Sequence, residues 1–208
     1  MPYTTATVPV KCPTCGIKFN SHQLPLLVDT GKRNSELRQD FEGEYDQFEP
    51  YAVCTCPSCG KADWMHTFPA TQEIAVLDQP RTTPHLQFRA AAVAAEQRPG
   101  NQYTVGLFYI HAAWCADDAR AYPQAREYRR LAADAFHKSL LDVSCPHPER
   151  PIVEYLIGEL HRKAGDFEKS RQHFNEVIAR LPAKYAFMAR KLMKLAASGN
   201  MDSIRFEA

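Results

Sequence analysis

Four of the seven cysteines stand in two closely matching phrases, Cys12-Pro13-Thr14-Cys15-Gly16 and Cys56-Pro57-Ser58-Cys59-Gly60. A Cys-x-x-Cys turn sets two sulfurs on the same side of the backbone, where its own N–H groups can point at them. Glycine after the second cysteine permits the left-handed backbone by which the chain leaves the turn. Two such turns supply four thiolates, the ligand set of a closed structural zinc site, and zinc has no d-electron preference that would resist a tetrahedron of sulfur. The spacing therefore predicts one structural zinc ion held by Cys12, Cys15, Cys56 and Cys59.

Competing chemistries fit the same residues less well. A thioredoxin-like redox turn needs its first cysteine at a helix start inside a βαβ unit, whereas Ile17-Lys18-Phe19 after Gly16 alternates like a strand. A catalytic zinc keeps one position open, and four thiolates close the shell. His22 and His66 are ligand candidates only if one cysteine fails. Cys54 aligns with Val10 when the two knuckles are superposed, so it reads as a buried apolar residue. Cys115 and Cys145 read as ordinary thiols of the helical part.

The elements that must position the sulfurs come next. Residues 3–11 and 17–19 read as strands flanking the first knuckle, and residues 51–55 and 61–64 as strands flanking the second. Residues 8–66 thereby read as a two-knuckle zinc ribbon built from an internal repeat. Between the knuckles lies an acidic stretch, residues 20–50, in which Phe41, Tyr45 and Phe48 suit either a short helix or a pinned loop. Residues 67–84, with Pro69, Pro80 and Pro84, read as a junction.

From Thr83 onward the periodicity is helical. Thr83-Pro84 opens a first helix with an apolar face of Leu86, Ala90, Val93 and Ala94, stopped by Pro99-Gly100. A second runs from about Gln102 to Cys115. A third starts near Tyr122-Pro123 and carries Tyr128, Leu131, Ala132, Ala135, Phe136 and Leu140 on one face. Pro151 opens a fourth, Asp166 caps a fifth, and Pro182 begins a sixth with a stripe of Tyr185, Met188, Leu192 and Leu195. Six helices with short connections predict stacked antiparallel hairpins. The expected fold class is α+β, with a zinc-ribbon-like module over residues 1–80 and an all-α domain over 81–208.

Within that helical part, Ile157-Gly158-x-x-His161-x-x-x-Gly165, then Ser170, Phe174, Val177 and Pro182, resembles the tetratricopeptide repeat (TPR) in every spacing. Gly158 would let the paired helix approach closely. Gly106-x-x-Tyr109 followed by Tyr128 to Leu140 is a looser version of the same unit. Gly106 and Gly158 are too far apart for a regular array, so the domain is TPR-like rather than a clean solenoid.

The order of knuckle, acidic loop, second knuckle and TPR-like helices resembles the bacterial family catalogued as domain of unknown function 2225. The residues carrying it are Cys12-Pro13-x-Cys15-Gly16 with Phe19, Pro50-Tyr51-x-Val53 before Cys56-Pro57-x-Cys59-Gly60, and Tyr155-Leu156-Ile157-Gly158-Glu159-Leu160. In that family an aromatic usually follows the second glycine; here Lys61 stands there, with Trp64 three residues on. The resemblance implies a metal-binding, helical-repeat protein and no established activity.

Charge and composition narrow the function classes. Residues 1–80 carry six basic and ten acidic side chains, a balance of −4, and the remainder carries nineteen and fourteen, or +5. An acidic module is poorly suited to nucleic acid, whose binding draws on phosphate neutralisation. A basic face on the last helix, Lys184, Arg190, Lys191 and Lys194, reads as a solvated surface or as a dock for an acidic partner, the chain's own acidic module being the nearest. No apolar run reaches the roughly 18–20 residues that span a bilayer, the first residues lack a signal-peptide pattern, and metal-type cysteine spacing suits a reducing cytoplasm. No phosphate loop, dinucleotide fingerprint, G-x-S-x-G or H-E-x-x-H occurs, so an enzyme is not expected. The expectation is a cytoplasmic zinc-binding scaffold whose helical groove takes a protein partner. Nucleic-acid binding through the ribbon and thiol redox sensing are the alternatives.

Overall fold

The computed structural model of the chain describes residues 6–22, 28–42 and 49–206. Tyr45 and Phe48 lie outside the described residues. Among the described residues three two-stranded antiparallel hairpins come first: β1 (Thr7–Lys11) with β2 (Lys18–His22), β3 (Val28–Arg33) with β4 (Gln39–Glu42), and β5 (Val53–Thr55) with β6 (Ala62–Trp64). A short helix α1 (Glu49–Ala52) precedes β5, where the sequence suggested continuous strand from residue 51. Six longer helices follow: α2 (Pro84–Glu96), α3 (Gln102–Asp118), α4 (Tyr122–Leu141), α5 (Arg150–Ala164), α6 (Phe167–Val177) and α7 (Ala183–Ala197). The fold is therefore α+β, strand hairpins followed by a run of helices.

A lone hairpin is marginally stable in water and leaves both edges unpaired. The first hairpin solves this with the segment read from sequence as a junction. Lys11 N–H bonds to Pro69 O (2.9 Å) and Thr71 N–H to Pro9 O (3.0 Å), covering the β1 edge. Asn20 N–H bonds to Leu77 O (2.7 Å) and Gln79 N–H to Asn20 O (2.9 Å), covering the β2 edge. Residues 69–79 thus strap the hairpin from both sides.

Strand alternation divides the β5–β6 hairpin between two cores. Cys54 and Cys56 join Val10, Cys12, Phe19, Met65 and Phe68 in a small cluster behind the knuckles. Val53 and Ala62 belong to the large helical core. Trp64 extends it, stacked on Phe108 at 4.7 Å and edge-on to Phe88 at 5.9 Å.

From α2 onward each helix packs against the next. Two of these contacts share one device. A Cβ built on Gly106 of α3 would meet the Phe136 ring of α4 at 2.4 Å, and one on Gly158 of α5 would meet the Phe174 ring of α6 at 2.5 Å. In each pair glycine on one helix makes room for a phenylalanine on the following helix. The face of α2 differs from the expected one: Phe88, Ala91, Ala92 and Ala95 are buried, while Leu86 and Val93 are exposed. Alanine on both faces blurs the helical period, and the aromatic contacts of Phe88 decide which side turns inward. Asp166 precedes α6 but makes no side-chain cap; its carboxylate accepts both bonds from Arg130 of α4 at 3.0 Å.

The acidic stretch between the knuckles docks on the helices. Asn34 Oδ1 accepts the N–H groups of Glu36 (2.9 Å) and Arg38 (3.0 Å), folding residues 34–38 into a tight loop. Glu36, buried, accepts from Arg129 Nε and an Nη of α4 at 2.8 and 2.7 Å, and Arg129 also reaches Asp117 at 2.5 Å. Arg38 bridges Glu49 (2.9 Å) and Asp118 (2.7 Å). Tyr155 Oη donates to Ser35 O at 2.8 Å. The C-terminal residues close over the same loop: Ser35 N–H bonds to Ile204 O (2.7 Å) and Phe206 N–H to Arg33 O (2.8 Å). Arg162, fully buried, grips both oxygens of Glu159 and donates to Asn200 O (2.6 Å) and Asp202 O (3.0 Å). Among the described residues the acidic module meets Arg129 of α4 through Glu36.

Two expectations follow. Gly158→Ala should lower stability by about 1–3 kcal/mol through overpacking, and adding Phe174→Leu should recover part of the loss; thermal denaturation checks both. Glu36→Gln removes the buried one of Arg129's two carboxylate partners, at a cost of about 3 kcal/mol. Burial disfavours the Glu36 charge, but Arg129 outweighs it and holds the carboxyl below its usual 4.5. Its contribution is present above that value and is lost as pH falls through the lowered one. Denaturant melts from pH 7 to pH 3 should show a shallower acid loss in Glu36→Gln than in the unchanged protein.

Candidate metal centre

The two knuckles repeat each other bond for bond. Cys12 N–H bonds to Ile17 O at 2.8 Å and Cys56 N–H to Lys61 O at 2.9 Å. Gly16 N–H returns to Cys12 O at 3.0 Å and Gly60 N–H to Cys56 O at 3.1 Å. Gly16 (φ 75°) and Gly60 (φ 71°) sit in the left-handed region that a side chain would resist. The antiparallel registers Lys11↔Lys18 and Thr55↔Ala62 close each hairpin immediately beyond its knuckle.

The four sulfurs converge. Cys12, Cys15, Cys56 and Cys59 have all their Sγ atoms within 4.8 Å of one another. The crossed pairs Cys12–Cys59 and Cys15–Cys56 are each 3.7 Å apart. Metal–sulfur bonds of about 2.3 Å in a tetrahedron put neighbouring sulfurs about 3.8 Å apart. The spacing fits, and the cluster forms a set that can hold one metal ion. Cys12 and Cys56 are buried and Cys15 and Cys59 exposed, so the site has one face toward the small core and one toward solvent.

Four thiols this close share their protons. Burial opposes the Cys12 thiolate, yet N–H groups of Cys15 and Thr14 and the neighbouring thiols hold its pKa down to about 7. Burial pushes Cys56 up to about 12 against the N–H groups of Cys59 and Ser58. Such a set favours a cation, which removes the repulsion that full ionisation would otherwise bring.

The remaining sulfurs and imidazoles stand apart from the cluster. Cys54 is fully buried in the small core, as its alignment with Val10 predicted, and burial raises its thiol to about 11. His22 and His66 line a separate cleft of about 260 Å³ with Val8, Val10 and Phe68. Cys115 is buried in the helical core, and the buried Cys145 thiol donates to Pro146 O at 3.6 Å. Sequence reading missed the buried charges Glu36, Arg129, Glu159 and Arg162. Glu36 and Arg129 are 93 positions apart. Glu159 and Arg162 pair at i,i+3 on one helix face, a spacing usual for exposed pairs, and Arg162's further partners are backbone oxygens of the C-terminal residues.

Among the described residues no helix is long and apolar enough to cross a membrane. No curated protein and no solved structure matches the chain. A family model does, over residues 6–85 and 84–198, and its description reads "Uncharacterized protein conserved in bacteria (DUF2225)". With both the knuckle module and the helices matched, the chain belongs to that family.

Proposed function

We propose that one zinc ion fills the four-thiolate site, that its role is structural, and that the protein is a cytoplasmic scaffold for a protein partner. The single observation behind this reading is the sulfur spacing, which matches a closed zinc tetrahedron with no position left for water or substrate. The module around it has only a small apolar cluster. A structural zinc supplies on the order of 10 kcal/mol or more of folding free energy, enough to hold such a module together. Residues 1–80 are then the zinc-ribbon-like module and residues 81–208 a TPR-like domain. The matched pairs Gly106–Phe136 and Gly158–Phe174 support the repeat character of the helices, and stacked helical hairpins offer extended surfaces to partners.

The alternatives have less behind them. Nucleic-acid binding would need free cations on the ribbon side, but Lys18 pairs with Glu73, Arg33 with Asp29, Arg38 with Glu49 and Asp118, and Lys61 with Asp63. Thiol redox sensing, with zinc released as the knuckles oxidise, draws on exposed Cys15 and Cys59, but its foothold beside the knuckles, Cys54, is fully buried with its thiol raised to about 11.

Native mass spectrometry with elemental analysis tests the metal. The full chain should carry one zinc, and Cys56→Ser should lose it together with the protection of the small core. A metal-free native chain, or a Cys56→Ser variant with full zinc, would contradict the assignment. For the scaffold role, partners captured by the full chain should change when Lys184, Arg190 and Lys194 are all reversed to Glu; identical sets from both proteins would count against it.

A further inference from the structure

Residues 200–206 lie in the molecule as a bound peptide lies in a site. They leave α7 after Gly199, whose backbone is left-handed (φ 68°), and are then held mostly through their own main chain. Arg162 donates to Asn200 O (2.6 Å) and Asp202 O (3.0 Å), and Lys163 Nζ donates to Met201 O and Ser203 Oγ, both at 2.9 Å. Farther on, Asn34 and Arg205 form an antiparallel bridge, flanked by Ser35 N–H to Ile204 O (2.7 Å) and Phe206 N–H to Arg33 O (2.8 Å). The segment thus adds a short strand at the end of β3. In strand addition the main-chain bonds give affinity and the seats of alternate side chains give specificity.

Two side chains occupy such seats. Ile204 and Phe206 are two apart, hence on one side of an extended chain, and both pack against the helical core. Phe206 is edge-on to Tyr155 at 5.7 Å and tilted on Tyr185 at 5.5 Å. Tyr155 is fully buried and its hydroxyl donates to Ser35 O at 2.8 Å, which fixes the aromatic seat to the strand edge. Arg205, between the two anchors, is exposed. The site therefore reads an apolar-x-apolar pattern and leaves the middle residue unread.

The seat is built more firmly than its occupant. Ser35, Glu36, Tyr155, Glu159 and Arg162 are buried. Their mutual bonds do not involve the segment: Arg162 grips both oxygens of Glu159, Tyr155 holds Ser35, and Arg129 holds Glu36. Every residue from 200 to 206, by contrast, is half-buried or exposed. The segment also borders two cavities, one of about 660 Å³ along Ser203, Ile204 and Arg205 and one of about 360 Å³ along Met201 and Asp202. Few buried apolar contacts and solvent-exposed backbone bonds mark the segments that open at least cost.

From the main-chain recognition, the aromatic seat and the loosely packed occupant together, we infer that this groove is a peptide site closed in cis by residues 200–206. Its partner is an extended peptide with two large apolar residues at alternate positions. That peptide displaces residues 200–206, pairs with residues 33–35 and seats one apolar side chain on Tyr155 and Tyr185. The inference rests on the scaffold reading and gives the partner a place and a chemistry. Closure in cis lowers the apparent affinity by the fraction of molecules that are open.

A fluorescent peptide with the sequence of residues 200–206, added to the zinc-loaded full chain, tests this by polarisation. The chain carrying both Ile204→Ser and Phe206→Ser keeps the seat and loosens the occupant. It should bind the peptide saturably with a Kd below about 100 μM, and the unchanged chain should bind at least about tenfold more weakly. A peptide with serine at both apolar positions should not bind, and one with alanine for its arginine should bind as well as the original. Circular dichroism checks that the double variant folds. Hydrogen exchange on the unchanged chain needs no variant: the N–H groups of Ser35 and Phe206 should exchange at least about 100-fold faster than those of α5. Absence of binding to both chains up to about 1 mM, equal binding to both, or exchange at residues 35 and 206 as slow as in α5 would overturn the inference. So would a dimer of the unchanged chain that the double variant turns into a monomer, since a second copy's segment would then fill the groove. None of these results bears on the α7 charge reversal, so loss of this site and loss of the scaffold role are told apart.

Discussion

Bringing four sulfurs within 4.8 Å of one another is the constraint on which the first third of the molecule depends. Among the described residues the two knuckle hairpins are separate two-stranded sheets, with no backbone ladder joining them. What draws them together is the sulfur set and the seven-residue cluster directly behind it. Placing the second knuckle also places β5 and β6, whose other face carries Val53, Ala62 and Trp64 into the helical core. The position of the sulfur cluster is thereby linked to α2 and α3 through Trp64, whose ring meets Phe88, Phe108 and His111.

A second anchor fixes the far side of the acidic stretch. Between the knuckles the chain leaves the sulfur site, reaches the helices at Ser35 and Glu36, and returns at Glu49. Glu36 on Arg129 and Arg38 on Asp118 hold it there, and the C-terminal residues, gripped by Arg162, lie across it. A face that the helical hairpins could have offered to another protein already carries residues of this chain. Partners of the helical domain would bind beside those residues or compete with them, and α7, the last helix of the stack, leaves Lys184, Phe187 and Arg190 exposed.

What could be read in advance depended on local signals. Two Cys-x-x-Cys-Gly phrases state their own geometry, and both hairpins and their turns follow from them. Pro84, Pro123 and Pro151 marked helix starts, and the spacing of Gly158 and Phe174 foretold a close contact that the structure contains. Long-range pairings of polar residues were not legible: nothing near Glu36 announces Arg129, 93 positions away. The strap at residues 69–79 was equally hidden, because its role is carried by backbone hydrogen bonds rather than by any side-chain pattern. The inward face of α2 was misread for a different reason, since alanines on both sides leave the choice to Phe88 and its ring partners. The two tryptophans gave no hint of sharing a cavity wall until β6 and α3 were brought side by side.

The central claim is that the metal staples the knuckle module while the helices stand on their own packing. Hydrogen–deuterium exchange on the full chain, before and after removal of metal by a strong chelator, tests it most directly. The account predicts that chelation abolishes slow exchange in β1, β2, β5 and β6 and in residues 69–79, while α3 to α6 keep theirs. An exchange pattern in the hairpins unchanged by chelation would contradict it.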